Sequence, residues 1–206
     1  LYDSGYRELV QRRFLHWIDK LSIPQTPAEN AQALRELHYL IDDLLDFFFV
    51  QHTADLNVVV IPQVVLRYQQ LPEDFVAHQQ FCLDLLDFER ESEQVYTSVL
   101  ELTEDQVRNV TRHFLSPEPD ERIWFICDQS LLGKLRKGFA MTNKALYWKS
   151  RFQGAQRVYY HKLRSLTKEK EWLLINDLYF NATPSLNTKL IWLLRKLARL
   201  HEAAPL

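Results

Sequence analysis

The spacing of apolar residues changes along the chain, and the change comes near residue 120. Before this point, apolar positions recur every three or four residues, which is typical of amphipathic helices. Beyond it they alternate with polar positions, which is typical of half-buried strands. The 206 residues therefore predict a helical first part followed by antiparallel strands.

Capping signals mark where the helices begin. Thr26 and Glu29 form one predicted capping box, with Pro27 in the first turn, and Thr103 and Gln106 form a second. An apolar stripe over residues 6–21 predicts a further helix, and 71–74 begin another. Residues 56–66 have mixed signals, and we favour a buried helix pair or a kink at Pro62.

The strands are separated by turn residues with a tolerance for left-handed backbone. Asn143 and the pair Asn176-Asp177 predict two hairpin turns. A last helix begins at Pro184 and carries one stripe of leucines. The predicted strands cover residues 122–128, 138–141, 145–149, 157–163, 166–168, 172–175 and 178–182.

Charge divides the chain at the same place. Residues 1–120 hold 9 Lys and Arg against 21 Asp and Glu, whereas residues 121–206 hold 16 against 6. Such asymmetry indicates two modules with different surfaces. The fold class predicted is α+β. We expect an acidic helical module at 1–116, a proline-rich linker at 117–120 and a basic module at 121–206.

Composition is that of a globular protein, with 47% hydrophobic and 25% charged residues. No apolar run reaches the length of a membrane span, and no secretion signal is recognisable at the start. Cys82 and Cys127 are too few and too far apart for a disulfide framework, so we expect buried thiols. These features favour a cytoplasmic location.

Three features after residue 120 occur together. They are the stretch Gly138-Phe139-Ala140-Met141-Thr142-Asn143-Lys144-Ala145-Leu146-Tyr147-Trp148, the Ile175-Asn176-Asp177 hairpin and the closing helix. Together they resemble bacterial pleckstrin-homology-like (PH-like, GRAM-like) domains over residues 121–200. The resemblance implies an antiparallel β-barrel or split barrel closed by a C-terminal helix, and it leaves the ligand open. Residues 1–120 show no comparable resemblance.

Five basic residues form the candidate binding site: Lys134, Arg136, Lys137, Lys149 and Arg151. The first three lie in the loop between the first two strands of the basic module. In PH domains that bind phosphoinositides, this loop and the strands beside it carry the cations, which would meet phosphates through charge-assisted hydrogen bonds. Here the first strand ends in Asp128-Gln129, where the lipid-binding pattern has a lysine.

A string of aspartates suggests a different chemistry. Asp42 and Asp46 lie one helical turn apart and could chelate a divalent cation, with Asp84 and Asp87 as the second acidic cluster. Prenyl-transferring enzymes use such strings, but the first half has few cations for a diphosphate. A solvated acidic helix face is the preferred interpretation, and we expect no metal or cofactor.

The function we expect is non-enzymatic. No nucleophile elbow and no glycine-rich phosphate loop occurs in the sequence. The first hypothesis is an intracellular binding or scaffolding protein whose PH-like domain recognises a protein partner. The alternatives are peripheral binding to anionic membrane lipid through the loop 134–137, and a metal-dependent enzyme built on the aspartates. Nucleic acid is not expected, because the net charge is −2 and alternating aromatics are typical of a core. The sequence leaves the oligomeric state open.

Overall fold

The computed structural model describes residues 5–21, 26–53, 55–150 and 153–202. The chain divides into two compact units, Leu1–Leu66 and Arg67–Leu206. The module boundary that the sequence indicates at residues 117–120 stays a prediction.

The first unit is a helical hairpin. Helix α1 covers Tyr6–Lys20 and α2 covers Pro27–His52. The capping box at Thr26 and Glu29 is confirmed, with both reciprocal hydrogen bonds present. Tyr6 Oη donates to the carbonyl oxygen of Leu44 at 3.0 Å, so the beginning of α1 lies beside the second half of α2 and the helices are antiparallel.

The ambiguous segment after α2 does not form the expected helix pair. Turns and bends occupy residues 55–59, and a 3-10 helix covers Gln63–Gln70. Pro62 lies just before this helix and its carbonyl accepts a hydrogen bond from Val65 N at 3.2 Å. A proline is well tolerated there because no amide donor is needed at that position.

Three α-helices belong to the second unit. Helix α3 covers Phe75–Leu86 and begins at Asp74, whose carboxylate accepts from Ala77 N. Helix α4 covers Glu104–His113 and has the predicted capping box. Helix α5 covers Pro184–Glu202, and its predicted leucine stripe is buried. Short 3-10 helices cover Phe88–Arg90, Val99–Glu101 and Tyr160–Lys162.

The strands form two antiparallel sheets. The first sheet has the order β1-β2-β3-β4-β5, and the second has the order β6-β7-β8. The strands are β1 Gln94–Tyr96, β2 Ile123–Asp128, β3 Gly138–Thr142, β4 Ala145–Lys149, β5 Gln156–Tyr159, β6 Leu166–Glu169, β7 Trp172–Ile175 and β8 Leu178–Phe180. The described strands do not close into a barrel, so the barrel expected from the resemblance has no support here.

Two further sequence predictions need correction. The strand expected over 157–163 ends at Tyr159 and turns into a 3-10 helix. Strand β1 was not predicted at all, although it pairs with β2 over three residues. This strand has three residues and lies among acidic and polar residues in the sequence, so it shows almost no alternation of apolar and polar positions.

Aromatic side chains connect the two sheets within the second unit. Trp148 on β4 donates from Nε1 to the carbonyl oxygen of Tyr179 on β8 at 2.9 Å. The rings of Phe139 and Phe180 meet edge to face with centroids 5.5 Å apart. These contacts hold β3 and β4 against β8.

The two cysteines are buried free thiols, as expected. Burial raises the pKa of both thiols above the ordinary cysteine value. Among the described helices, none is at once long and apolar enough to cross a bilayer.

Candidate functional site

One end of the five-stranded sheet carries most of the predicted basic residues. The antiparallel register places Gln94, Asp128, Gly138 and Lys149 side by side across β1, β2, β3 and β4. The loop 129–137 leaves and re-enters the sheet at this row. The loop and the end of β4 are therefore neighbours.

Asp128 folds the loop. Its side chain is only 5% exposed, and its two carboxylate oxygens accept hydrogen bonds from the backbone amides of Ser130 at 2.8 Å and Leu135 at 3.1 Å. A carboxylate can satisfy two buried amides at once, whereas a lysine has no acceptor. The residue that departs from the lipid-binding pattern thus has a structural role here.

Helix α4 holds the other side of the loop. Gln106 Nε2 donates to the carbonyl oxygen of Gly133 at 2.9 Å, and Asn109 Nδ2 donates to that of Lys134 at 2.9 Å. Leu135 is completely buried in a cluster that includes Val110 and Phe114 of the same region. A loop fixed at its backbone and at one apolar side chain presents its remaining side chains in a defined arrangement.

The five predicted site residues differ in exposure. Lys134 and Arg136 are exposed, whereas Lys137 and Lys149 are half-buried. Arg151 lies outside the described residues. Four of these side chains therefore lie on adjacent segments, and a common binding site stays a prediction.

A histidine that was missed from the sequence sits among these cations. His113 ends α4, and its Nδ1 lies 3.1 Å from Lys149 Nζ. Partial burial, followed by the charges of Lys149, Arg136 and Arg112, lowers the pKa of His113. Arg112 and His113 were visible as basic residues in the last turn of a predicted helix, but nothing in the sequence indicated that this turn meets β4.

Two of the lysines also line an open pocket of about 290 Å³. Lys137 and Lys149 face it together with polar groups, and Glu93 contributes one carboxylate to the same wall. The remaining lining residues are Gln129, Ser150, Tyr179, Asn181, Ala182 and Thr183. Two ammonium groups beside hydroxyl and amide donors suit a small anion, and the carboxylate of Glu93 limits how much negative charge the pocket can take.

Two leucines stand out at the tip of the loop. Leu131 is 100% exposed and Leu132 is 75% exposed, only a few residues from Lys134 and Arg136. A leucine fully in water lacks the free energy that burial would provide, and here two such residues are adjacent on one loop. The sequence alone could not show that these two leucines are exposed while Leu135, on the same loop, is buried.

The aspartates of the metal hypothesis are not gathered into a site. Asp84 accepts a hydrogen bond from Gln80 at 2.6 Å, and Asp87 pairs with Arg90 at 3.2 Å. Asp42 and Asp46 belong to the other compact unit. Within the described residues, no group of three or more His, Cys, Asp or Glu side chains could hold a metal ion.

Comparison with known proteins adds no assignment. The chain matches no protein-family model, no curated protein and no solved structure.

Proposed function

We propose that the second unit is a PH-like, non-enzymatic binding module that docks on anionic membrane surfaces through the loop 129–137. The PH-like part rests on strand order. Strands β2 to β5 are consecutive antiparallel neighbours, β6 to β8 form a second consecutive set, and α5 follows. The support for this part of the proposal is therefore seven consecutive antiparallel strands before a closing helix, with β1 as an addition at the edge.

The observation that carries the membrane assignment is the exposed pair Leu131-Leu132 beside cations on one ordered loop. An apolar tip enters the boundary between headgroups and acyl chains, while Lys and Arg next to it pair with anionic headgroups. Recognition of a protein partner does not require apolar residues at a loop tip with basic residues next to them. The loop is also preformed by Asp128 and Asn109, which lowers the entropic cost of docking.

Approximate magnitudes show that both parts are needed. A Lys or Arg near an anionic membrane contributes about 1 kcal/mol, and a fully buried leucine contributes about 1.5–3 kcal/mol. Five cations and two leucines then contribute about 5 and about 3–6 kcal/mol respectively. Micromolar binding requires roughly 8 kcal/mol, which the two sets reach together and neither reaches alone. The five cations are Arg112, Lys134, Arg136, Lys137 and Lys149.

Vesicle co-sedimentation tests the assignment. The full chain should bind phosphatidylglycerol vesicles at low salt and leave neutral phosphatidylcholine vesicles in the supernatant. The double variants Leu131→Ser/Leu132→Ser and Lys134→Glu/Arg136→Glu should each reduce binding at least about tenfold. The controls Leu100→Ser and Arg195→Glu change an exposed leucine and an exposed arginine of the same unit outside this loop, and they should bind like the wild type.

The same experiment distinguishes membrane docking from recognition of a protein partner. If the wild-type chain ignores anionic vesicles at low salt, the membrane assignment is wrong. A partner protein captured through the same loop variants would then explain the exposed leucines instead. If vesicles bind but all four variants bind equally, anionic lipid is bound elsewhere and the loop assignment fails.

A further inference from the structure

The helical hairpin of the first unit has few fully buried side chains in its described helices. None of the described α1 side chains is buried, and only Leu44 and Val50 are buried in α2. Packing of an apolar face provides most of the stability of helices in proteins. The two helices packed against each other therefore leave part of their apolar surface uncovered.

An exposed apolar stripe runs along α2. Leu34, Ile41, Leu45 and Phe49 follow one another at intervals of seven, four and four residues, which places them on one helix face. Their exposed fractions are 58%, 38%, 45% and 41%.

The first helix also carries exposed apolar residues. Leu15 and Ile18 of α1 are both about half exposed. Because α1 runs antiparallel to α2 from the contact between Tyr6 and Leu44, these two residues lie alongside the first half of α2. Both helices of the hairpin therefore leave apolar side chains exposed.

Charge indicates what completes that layer. Helix α1 has four Arg or Lys and two acidic residues, whereas α2 has one Arg and five acidic residues. Their net charges are +2 and −4 respectively. A second hairpin that sets its α1 against α2 of the first brings opposite charges together, and two-fold symmetry repeats that pairing. A pairing of α2 with α2 would instead oppose two strongly acidic helices.

We propose that the hairpin binds a second copy of this chain, forming a two-fold four-helix bundle in which α1 of each copy lies beside α2 of the other. The core of the bundle contains the exposed stripe of α2 together with Leu15 and Ile18. Antiparallel helices joined by a short connection are the ordinary building unit of such bundles.

Sedimentation of the full chain tests this proposal without any lipid. The wild type should sediment as a dimer at about 100 µM and dissociate on dilution. Ile41→Glu/Leu45→Glu should weaken the dimer at least about 100-fold, because the bundle would bury unpaired carboxylates. Both positions are exposed in the single chain, so the fold should persist, and circular dichroism should show unchanged helix content. Leu100→Glu, at a 95% exposed leucine of the other unit, should dimerise normally.

A second variant tests the pairing of α1 of one copy with α2 of the other. Arg12→Glu/Arg13→Glu changes the net charge of α1 from +2 to −2 and leaves the apolar stripe intact, so dimerisation should weaken about tenfold or more at low salt. A wild type that stays monomeric at about 100 µM, or a dimer that survives Ile41→Glu/Leu45→Glu, would overturn the proposal. A dimer indifferent to Arg12→Glu/Arg13→Glu would overturn the arrangement of the helices.

Discussion

Lys149 Nζ lies 3.1 Å from His113 Nδ1, and this contact joins the end of β4 to the end of α4. A lysine ammonium only donates hydrogen bonds, so the contact requires Nδ1 to be unprotonated. Burial, Lys149, Arg136 and Arg112 all lower the pKa of His113. The surroundings of this histidine therefore favour its uncharged form, and any anion bound to this basic surface favours its protonation.

Binding of anionic vesicles should strengthen on acidification. A bound anionic surface offsets the repulsion that Lys149 and Arg136 exert on a protonated His113, so binding is coupled to proton uptake. We expect severalfold tighter binding to phosphatidylglycerol vesicles at about pH 5.5 than at about pH 7.5. His113→Gln should remove most of this pH dependence and leave binding near pH 7.5 almost unchanged. An equal pH dependence in the variant would show that another group takes up the proton.

Folding stability should decrease on acidification, whereas vesicle binding should strengthen. Burial, followed by the charges of His78 and His161, lowers the pKa of His201, whose ring lies 5.1 Å from that of Tyr160. Because the folded-state pKa is below the unfolded value, the unfolded chain binds more protons at low pH. The stabilising contribution is complete above about pH 6.5 and is lost as the pH falls below it.

Urea denaturation at several pH values measures this effect. The free energy of unfolding should fall between about pH 7 and about pH 5. His201→Gln should reduce the slope, whereas His16→Gln, at an exposed histidine of α1, should not change it. A free energy of unfolding that is constant over this range would contradict the prediction.

Asp128→Ala should loosen the loop. The substitution leaves the amide of the buried Leu135 without its acceptor, and an unsatisfied buried amide costs about 1–3 kcal/mol. We expect a destabilisation of about 2 kcal/mol by urea denaturation, together with weaker vesicle binding because the cations are no longer held in place. Asp105→Ala, at an exposed residue in the first turn of α4, is the matched control and should change vesicle binding little.

Gly138→Ala should be more damaging than its small size suggests. Gly138 has φ +140, a region that residues with a Cβ rarely adopt, and an added Cβ would lie 2.0 Å from the carbonyl oxygen of Cys127. Because that oxygen belongs to the paired strand β2, it cannot move aside without breaking the sheet. We expect a loss of at least about 3 kcal/mol, measured by thermal or urea denaturation. Gly154→Ala has open space around it and should be nearly neutral.

Local signals account for the part of the fold that could be predicted. The capping boxes at Thr26 and Thr103 are confirmed because all their groups lie within four residues. The turn at Asn176-Asp177 is confirmed because both residues adopt positive φ, as a tight hairpin requires. The leucine stripe of α5 is confirmed because a helix of this length buries one regular face.

Features that depend on distant residues could not be predicted. Strand β1 exists because β2 offers it an edge, and the pKa of His113 is lowered in part by Lys149, 36 positions away. The exposure of Leu131 against the burial of Leu135 is likewise decided by how Asp128 and α4 fold the loop. The sequence predicted a hairpin with its turn at Asn143, and the register that sets Gly138 opposite Lys149 came only from the structure.

Insertion of Leu131 into the membrane is the most direct test of the proposed function. Both native cysteines are buried and their pKa values are raised, so a cysteine introduced by Leu131→Cys can be labelled selectively with an environment-sensitive fluorophore. The label should shift to the blue on phosphatidylglycerol vesicles and not on phosphatidylcholine vesicles, while the same label at Leu100→Cys should not respond. An unchanged spectrum at position 131 on vesicles that bind the protein, or an equal shift at both positions, would contradict the account.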